Sequence, residues 1–137
     1  MHGYSGRILQ VNLTTAHVAI ETFDETFART YLGGNGFAIR LLYEHLAPGV
    51  DPLAPENMIV LAIGPTTDTL IPGATRCCAG TKSPLTGLFC DSTFGGMFAT
   101  MQKRAGFEAI AITGRAPAPV YLLVHEDGAE IKPAVDL

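Results

Sequence analysis

The sequence predicts an α+β domain: a mixed β-sheet with hairpins at both ends and a few short helices between them. Three observations carry that expectation. Apolar residues alternate with period two near both termini, and they recur at three-to-four spacing in the first third of the chain. The composition, 47% hydrophobic and only 16% charged over 137 residues, sustains one core. A net charge of −4 gives no basic footprint for nucleic acid, and no apolar run reaches membrane-spanning length. The amino terminus MHGYSGRILQ lacks the charged and apolar regions of a signal peptide, so the expected location is cytoplasmic.

Arg7 to Leu13 and His17 to Thr22 read as a hairpin, with Leu9, Val11 and Leu13 on one face and Thr14-Thr15 at the turn. Asp24 is placed to cap a short helix that stops at Gly33-Gly34. Asn35 is placed to cap a second helix through Leu46, ended by Pro48 and Gly49. Phe37, Ala38, Leu41, Leu42 and His45 share one face of it, which puts His45 at the core boundary rather than on a metal. Met58 to Ile63 is a continuous apolar run, the mark of a buried strand. Met97 to Ala105 reads as a helix stopped by Gly106. Ala109 to Thr113, Val120 to Val124 and Ala129 to Lys132 read as strands, the last two joined by a turn at Glu126-Asp127-Gly128.

Between these elements, GPTTDTLIPGATRCCAGTKSPLTGLFCDSTFGG (Gly64 to Gly96) reads as a glycine- and proline-rich loop feeding a helix start, the layout of an anion site. Arg76 follows a Pro-Gly turn, and its fork of donors suits a phosphate or a pterin oxygen. It equally suits a loop arginine that pins carbonyls or pairs with an acid such as Asp91. Asp91, Ser92, Thr93, Phe94, Gly95 and Gly96 lead into the helix, with the smallest residues where a ligand would approach. Lys82 reads as a solvated lysine with a supporting role in shaping the loop. Cys77, Cys78 and Cys90 form an odd set with no CxxC pair, which predicts no iron–sulfur cluster from this chain. They are either reduced small hydrophobes or a sulfur-lined edge to a cofactor pocket.

PGATR, TKSPLTG and DSTFGG, with YLGGNGFAIRLLYEHLAPGVDPLAPEN before them and KRAGFEAIAITGRAPAPVYLLV after them, resemble the amino-terminal part of the tungsten-containing aldehyde ferredoxin oxidoreductase family. The resemblance runs from Gly3 to the end of the chain, in order and at similar spacing. It implies that residues 1–137 are part of a cofactor-binding N-terminal domain, with later cluster-binding domains absent. It also implies a tungsten or molybdenum bis-pterin with magnesium, and a 4Fe-4S cluster only in the complete enzyme.

By resemblance, Arg76 contacts the pterin, DSTFGG lies against its phosphates, and the Thr93 backbone carbonyl helps to hold magnesium. No side chain is expected to ligate metal or to be catalytic. The implied reaction converts an aldehyde and water to a carboxylic acid and passes electrons to ferredoxin, which this chain alone would not perform. Thr93 where the family commonly has asparagine, Asn35 where it commonly has arginine, and Cys77-Cys78 where bulkier or hydroxyl residues are usual are departures from its pattern. Missing domains or a separate subunit, and self-association through uncovered apolar surface, are the expected partners. The alternative is a non-catalytic binding or assembly module that retains the fold.

Overall fold

A computed structural model describes residues 2–135 of the chain. The elements follow as β1 (Arg7–Asn12), β2 (His17–Thr22), α1 (Glu25–Tyr31), α2 (Asn35–His45), β3 (Met58–Ile63), β4 (Cys77–Lys82), β5 (Phe89–Phe94), α3 (Met97–Arg104), β6 (Ala109–Thr113), β7 (Val120–His125) and β8 (Gly128–Pro133). Six strands form one mixed sheet in the order β2-β1-β6-β3-β4-β5, and β7 pairs with β8 in a separate hairpin. Only β1 and β6 run parallel, with Ile8 opposite Ala109; the other neighbours are antiparallel. The architecture is the α+β class read from the sequence.

Both faces of the sheet are covered. On one, Phe37, Ala38, Leu41 and Leu42 of α2 pack on Ile8, Val60, Ala62, Cys78, Ala109 and Ala111. Tyr4, Phe23, Phe27 and Tyr31 extend this cluster, with Phe23 and Phe37 edge to face at 5.1 Å. On the other, the β7–β8 hairpin covers Leu9, Val11 and Ile110, while Ala99 of α3 meets Ile63 and Cys77. The strand alternation explains the division, because successive residues of β1 and β4 feed opposite clusters.

Local chemistry accounts for the helix ends. Asp24 Oδ1 accepts from the Phe27 amide at 2.8 Å and caps α1. The expected cap at Asn35 is instead Gly34, and no side chain caps α2. Asn35 is the first helical residue, and its amide is engaged elsewhere. His45 is exposed, not at the core boundary; at this end of α2 it is Leu42 and Leu46 that face the core.

The segment from Gly64 to Gly96 is the main correction. It is not a continuous loop: β4 and β5 form a hairpin within it, with Cys78 opposite Thr93 and Gly80 opposite Asp91. The strands were hidden by their composition. β4 reads CCAGTK, small because α2 lies directly on it, and β5 reads FCDSTF, polar because it is an edge strand with exposed side chains.

Candidate functional site

At the end of the sheet where β3 and β5 finish and β4 begins, an open cleft of about 350 Å³ is lined by three pieces of chain. These are Leu32 to Asn35 at the start of α2, the loop from Gly64 to Arg76, and the paired residues Cys78 and Thr93. Sheet hydrogen bonding builds the first wall: the Gly34 amide donates to the Ile63 carbonyl at 2.9 Å and ties the start of α2 to the end of β3. Gly33 is required there. It has φ +131°, and a Cβ on it would stand 2.7 Å from the Ile63 carbonyl oxygen.

The cleft is chemically biased toward anions. Among the described residues that line it there is one cation, Arg76, and no carboxylate. Arg76 is exposed and has no ion pair among the described residues. Its guanidinium lies over Gly95, whose Cβ would stand 3.4 Å from Arg76 Nη1. The uncapped first turn of α2 adds amides and the positive end of a helix dipole. Gly64 has nothing within 4 Å of its Cβ position and no positive φ. Neither backbone conformation nor a protein neighbour therefore explains glycine there, whereas a ligand filling that space would.

In the cleft wall, Asn35 bridges two side chains. Its Nδ2 donates to Asp91 Oδ2 at 3.0 Å, and its Oδ1 accepts a short hydrogen bond from the Cys78 thiol. Chemistry fixes this orientation: the carboxylate can only accept, and a protonated thiol donates. Burial, with the Asp91 charge as a smaller cause, pushes Cys78 up to about 11. Burial, with Cys78 nearby, pushes Cys77 up to about 12. Both stay thiols at neutral pH, and the described residues contain no cluster of His, Cys, Asp or Glu arranged for a metal.

Of the residues singled out from the sequence, Arg76, Thr93, Cys77 and Cys78 line the cleft, the two cysteines supplying sulfur to its lining, and Cys90 is not among the lining residues. Gly95 touches Arg76 from outside it, and Asp91 lies below, on Asn35. Ser92 is exposed opposite Ala79, one position out of phase with Thr93. Phe94 packs with Ile63, Cys77 and Ala99, and its ring lies 5.6 Å from Phe98. Gly96 caps α3, which begins where the sequence placed it, but the helix start that borders the cleft belongs to α2. Lys82 is at the far end of β4, where its Nζ donates to the Val50 carbonyl at 2.5 Å. It shapes the loop before β3, not the cleft. Sequence reading missed Gly33 and Gly34 as site residues, though the run GGNG before an apolar helix was the available signal; Gly64 opens the stretch that was read as an anion site.

A buried ion pair braces the cleft from behind. Glu108 is fully buried, with Lys103 Nζ at 2.7 Å and the Ser5 amide and hydroxyl on its oxygens. Lys103 also donates to the Gly3 carbonyl at 2.5 Å. Gly3 packs on Pro65, and the Tyr4 hydroxyl donates to the Leu32 carbonyl at 2.7 Å. Both Pro65 and Leu32 are cleft walls.

Residues 8–137 match the family described as "Aldehyde ferredoxin oxidoreductase, N-terminal domain". The chain belongs to that family. Over 134 residues it is 46% identical to the tungsten-containing aldehyde ferredoxin oxidoreductase of Pyrococcus abyssi, and 42% identical to that of Pyrococcus furiosus. Each match covers 98% of this chain and 22% of the relative, so the chain spans little more than a fifth of those enzymes. A solved structure, the active site complex BamBC of benzoyl coenzyme A reductase in complex with 1,5-dienoyl-CoA, superposes with a TM-score of 0.92 at 34% identity. That match covers 97% of this chain and 20% of the other. These oxidoreductases are larger proteins in which this fold is one part.

Proposed function

We propose that this chain is the cofactor-facing N-terminal domain of an aldehyde:ferredoxin oxidoreductase, and that its cleft takes the phosphate-bearing end of a tungsten pterin group. The observation that carries this reading is the cleft itself: among the described residues, one arginine without an ion pair over Gly95, beside an uncapped helix start, with no carboxylate in the lining. Arg76 would donate two charge-assisted hydrogen bonds to anionic oxygens, and the first-turn amides of α2 would take a further oxygen. Gly34 and Gly64 leave the space that such a ligand needs.

When bound, the group supplies two-electron redox chemistry, and the chain positions it and sets its electrostatic surroundings. Cys77 and Cys78, held protonated, offer no thiolate to the metal. β5 is an edge strand, which leaves alternate carbonyls without a ladder partner, and that of Thr93 is the candidate magnesium contact. The aldehyde, the 4Fe-4S cluster and ferredoxin would engage other parts of the complete enzyme. Exposed Leu70, Leu85, Leu88, Met97, Phe98 and Met101 favour burial against those parts or against a second copy. The same surface would serve a non-catalytic assembly module.

Metal analysis of the complete enzyme separates the two readings. Arg76→Ala should reduce tungsten per polypeptide while the protein stays folded. A variant with full tungsten and full aldehyde oxidation would refute the assignment of the cleft.

A further inference from the structure

Leu32, in the cleft wall, holds a backbone conformation that a leucine resists. It caps α1 at φ 62° and ψ −40°, and the Gly33 amide donates back to the Tyr31 carbonyl at 2.7 Å. This is the γ-turn of positive φ, rare and strained for any residue with a Cβ. Its neighbours fix it in place. The Leu32 amide donates to the Ala28 carbonyl at 2.9 Å, and the Leu32 carbonyl accepts from the Tyr4 hydroxyl at 2.7 Å. The Tyr31 carbonyl is backed by Gly36, where a Cβ would stand 1.9 Å from its oxygen.

Glycine would take this turn without strain, and glycine fills the next two positions. The other described non-glycine residues at positive φ are Ala16 and Asp68, neither of which carries a large apolar side chain. Packing does not account for leucine either, since Leu32 is 64% exposed. What it has is a place in the cleft. It is the one large aliphatic side chain of the lining, which is otherwise small or polar apart from Arg76.

We propose that Leu32 is a binding residue of the cleft, held out by its strained turn as the apolar contact for the uncharged body of a ligand whose phosphate Arg76 takes. The inference rests on the anion reading of the cleft and deepens it: the ligand is a phosphate ester with an apolar-faced body, not a free anion.

The test compares inorganic phosphate with phenyl phosphate on the 137-residue chain. The parent should bind phenyl phosphate more tightly than phosphate. Leu32→Gly should weaken phenyl phosphate about fivefold, as expected for losing about one buried methylene, and leave inorganic phosphate unchanged. Parental affinity for phenyl phosphate in the variant overturns the proposal. An equal loss of both probes does so too, because it reports a rearranged wall. Tungsten lost from the complete enzyme, with phenyl phosphate binding unchanged, would assign the side chain to a contact with another part of that enzyme.

Urea unfolding tests the strain without a ligand. Leu32→Gly and Leu32→Ala both remove the side chain, but only glycine takes the turn freely, so the glycine variant should unfold at the higher urea concentration. Equal midpoints would remove the ground for the proposal. A parent chain that binds neither probe tells against the anion reading, and Leu32 is then decided in the complete enzyme. There, Leu32→Gly with the parental tungsten content sinks its role.

Discussion

Gly80 in β4 faces Ala38 in α2 so closely that a Cβ added to it would stand 2.7 Å from the Ala38 methyl. The ring of Phe89 closes the same space at 3.0 Å. This contact sets the height of α2 above the sheet, and the first turn of α2 is a wall of the cleft.

Gly80→Ala should therefore destabilise the domain by about 1–3 kcal/mol through overpacking. Urea or thermal unfolding measures it. An unchanged midpoint would mean that α2 does not rest on β4 as described.

Gly64→Leu should behave in the opposite way. Its Cβ direction is empty and its φ is not positive, so the fold should tolerate the side chain, within about 0.5 kcal/mol, while the cleft fills. In the complete enzyme the variant should unfold at the parental midpoint and carry less tungsten. Full tungsten content would show that the cleft is not where the group sits.

Glu108 predicts an acid limit. Burial acts to raise its pKa, but the hydrogen bonds from Lys103 and Ser5 outweigh burial and hold the carboxyl below the usual range. A depressed carboxyl stabilises the fold fully above its unfolded value, near about 4.3, and that stability is lost as pH falls through the lower folded value. Unfolding free energy should drop in this window, and the drop should be smaller in Glu108→Gln. Lys103→Met, which leaves a buried carboxylate unpaired, should cost about 3–5 kcal/mol at neutral pH. A pH profile of the Glu108→Gln variant that parallels the parent would exclude this group.

The two raised thiols give a chemical test. Buried and protonated at neutral pH, Cys77 and Cys78 should resist iodoacetamide in the native protein and label after unfolding, whereas half-buried Cys90 should label first. Mass spectrometry of the peptides reads the order. Rapid native labelling of Cys78 would contradict its burial in the cleft wall.

The outer framework was legible in the sequence because its signals are local. The alternation of Leu9 and Val11, the apolar run Met58 to Ile63, the cap at Asp24 and the stop at Gly106 each depend on neighbours a few residues away. β4 and β5 were illegible for a physical reason. Gly80 and Cys78 are small to admit α2, which lies more than thirty residues away in sequence, and that constraint leaves no strand-like pattern. The site was half legible. Arg76 and Thr93, singled out by chemistry and resemblance, line the cleft, but the wall at Gly33-Gly34 forms only when Gly34 bonds to Ile63, so the glycines read as nothing more than a helix stop.

The parallel pairing of β1 with β6 has a consequence for how the domain is made. β6 lies between β1 and β3, yet it is about a hundred residues downstream of β1, so two incomplete half-sheets precede it on the ribosome. Joining them requires closure of a long loop, the slow kind of step in folding. Until Ala109 to Thr113 emerge and insert, β1 and β3 each present a bare, apolar strand edge. The nascent chain is most exposed to misassembly in that interval, when two unpaired strand edges stand open at once.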